Sequence, residues 1–179
     1  MKHISTIITA IAVSLIAISC TKQGNPSADP AKEGYVDATS KTTWTYFSLS
    51  KGEVIGTGAE SEADNAAWAA RTDWDLAVCR YNIRTNSGTS SSTGAKGGVY
   101  TSTMTFEGLS SIPADAAFEA DKLVTSSGMG GEKTVSESSA TVITFKTNAD
   151  GSKVMPPVYL KAPVYVFRTA DGGSAYKVE

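Results

Sequence analysis

Apolar and polar side chains alternate along most of this chain, in short segments separated by clusters of Gly, Asn, Asp and Ser. Alternation puts the apolar side chains of a strand on one face, and the intervening clusters are typical of turns. The segments are rich in Thr, Val, Tyr and Phe, which favour strands. The pattern predicts an all-β fold of short antiparallel strands at 43–50, 53–56, 73–84, 98–107, 135–145, 158–160, 163–168 and 175–178.

Three segments depart from the strand pattern. Residues 64–71 combine a capping Asp64 with several alanines, which predicts one or two helical turns. Residues 113–118 begin with a proline that is compatible with a helix start. Residues 86–98 are rich in Ser, Thr and Gly, and this low complexity predicts a surface loop with no structure of its own.

The N-terminus has the pattern of a bacterial lipoprotein signal. An apolar run, Ile7 to Ile18, follows Lys2 and is too short to span a bilayer permanently. Small residues then precede Cys20, so we expect residues 1–19 to be removed and Cys20 to be lipidated. Residues 20–34 would form a flexible tether, and 35–179 one folded domain. The alternative is an ordinary secretory peptide in which Cys20 is incidental.

The remaining composition excludes several classes of function. The formal net charge is −2 without a basic cluster, which argues against a nucleic-acid partner. With Cys20 lipidated, Cys79 has no disulfide partner, and its strand-like surroundings predict a buried thiol that behaves as a small hydrophobe. The only histidine, His3, lies in the signal segment, so the mature chain lacks catalytic triads and histidine zinc sites.

The acidic residues form no recognisable catalytic pair, and we expect most of them to be solvated or to form turns: Asp73, Asp75, Glu107, Asp115, Glu119 and Asp121. The sequence therefore predicts a protein that is not an enzyme.

Methionine is the residue type that remains for ligand chemistry. Met104 alternates with aromatic residues along a predicted strand, so we expect it in the core. Met129 lies among glycines, and Met155 precedes Pro156 and Pro157, so both are expected to project from loops. Thioether sulfur is a soft ligand that haem iron accepts. The alternative is that each methionine simply caps one end of the β core.

Three sets of motifs carry a resemblance to a known family. The segments 44–49, 74–77 leading into 80–88, and 155–159 leading into 164–169 resemble the HmuY family of haem-binding lipoproteins. The resemblance implies a single all-β domain that holds haem b (iron protoporphyrin IX) between loops. It also implies capture of haem from host haemoproteins and transfer to an outer-membrane TonB-dependent receptor. The protein would be a lipid-anchored outer-membrane haemophore, on the cell surface or released.

The resemblance also implies the iron ligands. Some members of the family use two histidines and others two methionines, and this mature chain has no histidine. Met129 and Met155 match the ligand-bearing loops in order and approximate spacing, with Met104 in reserve. Methionine ligation raises the reduction potential, so ferrous haem should be favoured. The sequence does not identify the residues that meet the haem propionates, and Lys96, Lys133 and Arg168 are only candidates for that role.

One departure from the family pattern, one open question on the membrane face and two rival functions accompany this interpretation. Family members usually continue past the point that matches Glu179, which suggests a truncated chain. No acidic run follows Cys20, so either face of the outer membrane is compatible. The rival functions are a surface protein that binds glycan or protein through Trp44, Trp68 or exposed tyrosines, and a structural lipoprotein.

Overall fold

The protein folds almost entirely as antiparallel β-structure, which confirms the predicted all-β class. The computed structural model describes residues 36–128, 131–160 and 163–178. The elements are β1 (Thr43–Ser48), β2 (Glu53–Ala59), α1 (Glu62–Ala69), β3 (Leu76–Cys79), β4 (Asn82–Thr85), a 3-10 turn (Gly88–Ser90), β5 (Gly98–Ser102), β6 (Lys122–Gly128), β7 (Gly131–Glu137), β8 (Thr144–Phe145), β9 (Tyr159–Leu160), β10 (Val164–Arg168) and β11 (Ala175–Val178).

The first sheet has the order β2-β1-β3-β4 and is covered on both faces. Successive residues of β1 point to opposite sides, so Tyr46 packs with Trp74 on one face while Phe47 packs with Leu76 and Val78 on the other. This double burial explains why β3 consists entirely of apolar residues and why two aromatic residues, Tyr46 and Phe47, follow each other in β1.

The second sheet, of order β11-β10-β5, packs face to face with the first. Phe167 of β10 enters the shared core with Phe47, whereas Val166 faces a smaller apolar cluster around Leu109. The buried Asp75 joins the two sheets, because its carboxylate accepts hydrogen bonds from the backbone N–H groups of Leu49 (2.8 Å) and Ala170 (2.7 Å).

Helix α1 covers the remaining face of the first sheet. Its N-cap lies three residues earlier than predicted, because Ser61 takes this role and its hydroxyl accepts from the N–H of Asp64. Its buried Trp68 stacks on Tyr46 with the ring centroids 3.8 Å apart. Gly58 on β2 leaves the space for this indole, since an added Cβ would collide with it. No helix in the described ranges is long and apolar enough to cross a membrane.

Several predicted elements differ from the structure. The single strand predicted at 73–84 is a hairpin, because Arg80 adopts a left-handed backbone (φ 55°) and reverses the chain between β3 and β4. Strand β6 has no predicted counterpart. Residues 113–118 form a turn instead of a helix. The strand predicted at 98–107 ends at Ser102, and Met104 beyond it is 48% exposed, so its predicted core position is wrong.

Candidate functional site

Two hairpins, β6–β7 and β8–β9, pair only within themselves and lie outside the two packed sheets. The β6–β7 hairpin is in continuous register from Lys122 opposite Glu137 to Gly128 opposite Gly131. Its neighbouring residues Leu123 (65% exposed) and Val124 point to opposite faces, and both are exposed. The hairpin therefore presents apolar side chains to solvent on both of its faces.

A buried carboxylate fixes the base of the β6–β7 hairpin. Asp121, directly before β6, accepts hydrogen bonds from the N–H (2.9 Å) and hydroxyl (2.5 Å) of Thr85 and from the hydroxyl of Ser90 (2.7 Å). Burial raises the pKa of Asp121 from 3.8 to about 6, and the bonds from Ser90 and Thr85 partly oppose that rise. Asp121 and Asp75 are thus exceptions among the six acids expected to be mostly solvated.

Part of the segment predicted as a surface loop packs against Asp121 at this end of the hairpin. Asn86, Ser87 and Ser90 are all buried. The hydroxyl of Ser87 accepts from the N–H of Asp121 (3.1 Å), and the Asn86 amide donates to the carbonyl of Trp74 (3.0 Å). The prediction failed because low-complexity composition does not reveal that short hydroxyl side chains can satisfy a buried carboxylate.

A second buried charged group, Arg84, connects the β6–β7 hairpin to α1. The Arg84 guanidinium donates to the carbonyl of Ser136 on β7 (2.7 Å), to the Asn65 amide oxygen (2.8 Å) and to the Glu60 carboxylate (2.9 Å). It also lies 3.8 Å over the Trp44 ring. Burial opposes ionisation of Glu60, but hydrogen bonds from Asn65, Trp44 and Arg84 outweigh it and lower the Glu60 pKa.

The space between α1 and the β6–β7 hairpin is unsuited to a large apolar ligand. An inner cavity of about 170 Å³ between them is smaller than the ~300–1,000 Å³ usual for drug-sized ligands. The outer cleft of about 520 Å³ is wide enough, but most of the residues that line it are polar, and they include Glu60 and Glu62. The inner cavity is too small for a porphyrin, and the cleft would set the carboxylates of Glu60 and Glu62 beside the two carboxylates of the ligand.

The β8–β9 hairpin carries an excursion that exposes Met155. The N–H of Lys146 donates to the carbonyl of Val158 (2.9 Å), and the carbonyl of Lys146 accepts from the N–H of Val154 (3.0 Å). One residue, directly after β8, thus closes both ends of residues 154–158, which we term the Met155 loop. Met155 is 76% exposed on it, as expected for a side chain that projects from a loop.

Aromatic rings line the side of the β8–β9 hairpin. The ring of Phe145 lies 5.7 Å from Tyr81, in the β3–β4 turn, and 5.1 Å from Tyr159 on β9. We term these three rings the aromatic cluster. Tyr159 is 57% exposed, and its interaction with the neighbouring Tyr81 hydroxyl raises the pKa of Tyr159. Val158 and Leu160, beside it in sequence, are exposed as well, so this surface is both aromatic and apolar.

The other residues expected to contact a ligand either lie outside the described part of the chain or already have a partner within it. Met129 lies outside the described residues, between Gly128 at the end of β6 and Gly131 at the start of β7, and Cys20 lies outside them too. The Lys133 ammonium is 3.9 Å from Glu60, and the Arg168 guanidinium donates to the carbonyl of Lys96 (2.6 Å).

Two further predictions concern side chains that the structure buries. Trp44 and Trp68 are buried, which leaves neither indole face free as a platform for glycan. Cys79 is a buried free thiol, as predicted.

Comparisons with known proteins add three findings. A family model described as HmuY protein matches residues 40–179. Among solved structures, the crystal structure of the Tannerella forsythia apo HmuY analog (TFO) is similar, with 22% sequence identity and a TM-score of 0.43. That similarity covers 76% of this chain and 79% of the Tannerella chain. No curated protein matches the chain.

Proposed function

The chain belongs to the HmuY family, a family of haem-binding proteins, and from this premise we propose that it binds haem b at its two projecting hairpins. The binding surface would be formed by the Met155 loop, the aromatic cluster and the β6–β7 hairpin. We propose that the protein binds and transfers haem and catalyses no reaction. The lack of any histidine beyond His3 supports this, because the mature chain has no imidazole base.

The observation that carries the proposal is the exposure of Met155. A thioether is an apolar group, and an ordered side chain of this kind is usually packed against others. Here Met155 is 76% exposed, on a loop whose two ends are hydrogen-bonded to Lys146. Val158 and Tyr159, which follow three and four residues later in the chain, are exposed as well. A soft sulfur donor beside apolar and aromatic surface matches the chemistry of a haem face and its iron.

We propose that Met155 and Met129, one from each hairpin, would hold the haem iron. When bound, haem would supply an iron that accepts soft sulfur ligands, and methionine ligation would raise its reduction potential and favour ferrous iron. The chain's own part is to hold the two sulfurs and to shield the porphyrin faces from water with its exposed apolar side chains.

The remaining parts of the proposal concern the protein's place in the cell. We propose that residues 1–19 are a signal peptide and that Cys20 carries the lipid anchor in the outer membrane. In this arrangement the protein captures haem from host haemoproteins and delivers it to a TonB-dependent receptor. The support for anchoring is the apolar run that ends before Cys20, and the support for the partners is family membership.

Titration with haem b tests the proposal directly. The mature chain is titrated with ferric haem and with dithionite-reduced haem while the Soret band is recorded. We expect a shifted Soret band and tighter binding in the reduced state. Absence of a spectral change in both states would overturn the proposed function.

The ligand assignment needs a matched pair of variants. Loss of a group that only orients a metal ligand already weakens metal binding by about 10- to 100-fold. Met155→Ala should therefore weaken the binding of reduced haem at least as much. Met104→Ala is the control, because Met104 is also an exposed methionine. If Met104→Ala changed the reduced spectrum and Met155→Ala did not, the ligand would be reassigned to Met104.

A further inference from the structure

Two exposed cations lie on the aromatic cluster. The Arg80 guanidinium is 4.5 Å from the centre of the Tyr81 ring, and the Lys153 ammonium is 4.1 Å from the centre of the Phe145 ring. Arg80 comes from the β3–β4 turn, while Lys153 comes from the β8–β9 hairpin, two residues before Met155. Two distant parts of the chain thus bring positive charge to one aromatic surface.

A continuous series of ring contacts connects the two cations. Tyr81, beneath Arg80, meets Phe145 edge to face, and Phe145 lies beneath Lys153 and beside Tyr159. The backbone of the hairpin fixes the position of Lys153, which pairs with Thr147 in an antiparallel bridge. Arg80 is fixed by its left-handed backbone in the tight turn. The two charges therefore flank the cluster on a backbone that is defined at both positions.

The protein does not neutralise these cations within the described ranges. No carboxylate there lies within salt-bridge distance of Arg80 or Lys153. Asp150, in the same hairpin, accepts from the N–H (2.9 Å) and hydroxyl (2.6 Å) of Ser152. Glu137, on β7, accepts from the Asn82 amide (2.6 Å). A contact with an aromatic face is worth only about 0.5–1 kcal/mol at an exposed position, so either cation can exchange it for an anion.

We propose that Arg80 and Lys153 form a recognition site for the two carboxylates at the edge of an apolar planar ligand, the propionates of haem. The inference rests on the proposed function and assigns the residues that distinguish haem from an uncharged porphyrin. Both cations donate charge-assisted hydrogen bonds to carboxylates, and the aromatic rings between them match the apolar body of the ligand. In contrast to these two, Lys133 and Arg168 already have partners in the structure.

The test compares haem b with haem dimethyl ester, in which both propionates are esterified. Each compound is titrated into the reduced mature protein at low salt, and the dissociation constants are taken from the Soret band. Exposed ion pairs are individually weak, so we expect a preference for haem b of roughly tenfold. This preference should shrink as salt is added, because the charges are exposed to solvent.

Variants connect the preference to the two residues. Arg80→Gln with Lys153→Gln should remove the preference while leaving the affinity for the ester unchanged. The matched control is Arg71→Gln with Lys51→Gln, which also removes one arginine charge and one lysine charge. Like Arg80, Arg71 lies on an aromatic ring, with its guanidinium 4.2 Å from the centre of the Trp68 ring. Arg71 comes before β3, however, whereas Arg80 comes after β3. Exchange of the two cations, Arg80→Lys with Lys153→Arg, should preserve the preference.

The outcomes separate the inference from the proposed function. If the wild type binds both compounds equally, or if the Arg80–Lys153 double variant keeps the preference, the inference is overturned while haem binding stands. If the control removes the preference as fully as the test variant, the effect comes from net charge and the inference is overturned as well. If neither compound changes the spectrum of the wild type, the proposed function fails and the inference fails with it.

Discussion

The two packed sheets and the two projecting hairpins use the same kinds of side chain in opposite ways. In the sheets, aromatic residues such as Tyr46 and Phe167 are buried against other rings and aliphatic groups. In the hairpins, Leu123 and Tyr159 remain largely exposed although both belong to strands. Apolar side chains therefore stabilise the fold in the first region, whereas in the second they are available to a ligand.

The largest expected effect is in the packed sheets. Phe167→Ala removes a fully buried ring from the core shared by both sheets. Loss of the buried area and the resulting cavity should lower the free energy of unfolding by about 3–5 kcal/mol. Urea unfolding followed by circular dichroism measures the change. Tyr159→Ala, an exposed aromatic position, is the control, and a comparable loss in both variants would contradict the distinction between the two regions.

A smaller effect is expected where the two regions join, at Asp121. Burial raises its pKa from 3.8 to about 6, so the folded protein holds this proton more tightly than the unfolded chain does. The resulting stabilisation is complete below the unfolded pKa and is lost as pH rises through the folded pKa. At ~1.4 kcal/mol per pKa unit, the loss amounts to about 3 kcal/mol.

Asp121→Asn should remove this pH-dependent contribution. Unfolding free energies measured from about pH 4 to pH 7 should decline less steeply in the variant than in the wild type. Asp115→Asn, at an exposed position, controls for the loss of a carboxylate. Identical slopes in the Asp121→Asn variant and the wild type would show that Asp121 does not bind its proton more tightly on folding.

The smallest effect on stability is expected in the β8–β9 hairpin. Met155→Ala should change the free energy of unfolding by less than about 0.5 kcal/mol, because the side chain is mostly exposed and the loop ends are held by backbone bonds. The same urea unfolding experiment measures this. A loss above ~2 kcal/mol, in the range of a buried methionine, would mean that Met155 packs against the protein itself.

The parts of the fold predicted from sequence are those in which local pattern and burial agree. Strands β1, β10 and β11 follow segments rich in aromatic and β-branched residues, and their predicted positions are confirmed to within a few residues. Strand β6 was missed because its Thr-Ser-Ser-Gly run has a polar, turn-like composition. The β3–β4 turn was missed because Arg80 is an unusual residue for a left-handed backbone.

The candidate site was only partly predictable. Met155 could be found because the two prolines after it predict a projecting loop. The aromatic cluster could not, because Tyr81, Phe145 and Tyr159 are far apart in sequence and only the pairing of β8 with β9 brings the last two together. The burial of Asp121 could not be predicted either, because only the tertiary fold brings its partners Thr85 and Ser90 to it.

The closure of the Met155 loop by a single residue has a consequence for evolution. Since both ends of the loop bond to the backbone of Lys146, strand pairing in this hairpin does not depend on which side chain occupies position 155. A substitution there would leave the scaffold intact. Under the proposed function, a point mutation at position 155 would therefore change the group offered to a ligand without the compensating changes that replacement of a buried residue requires.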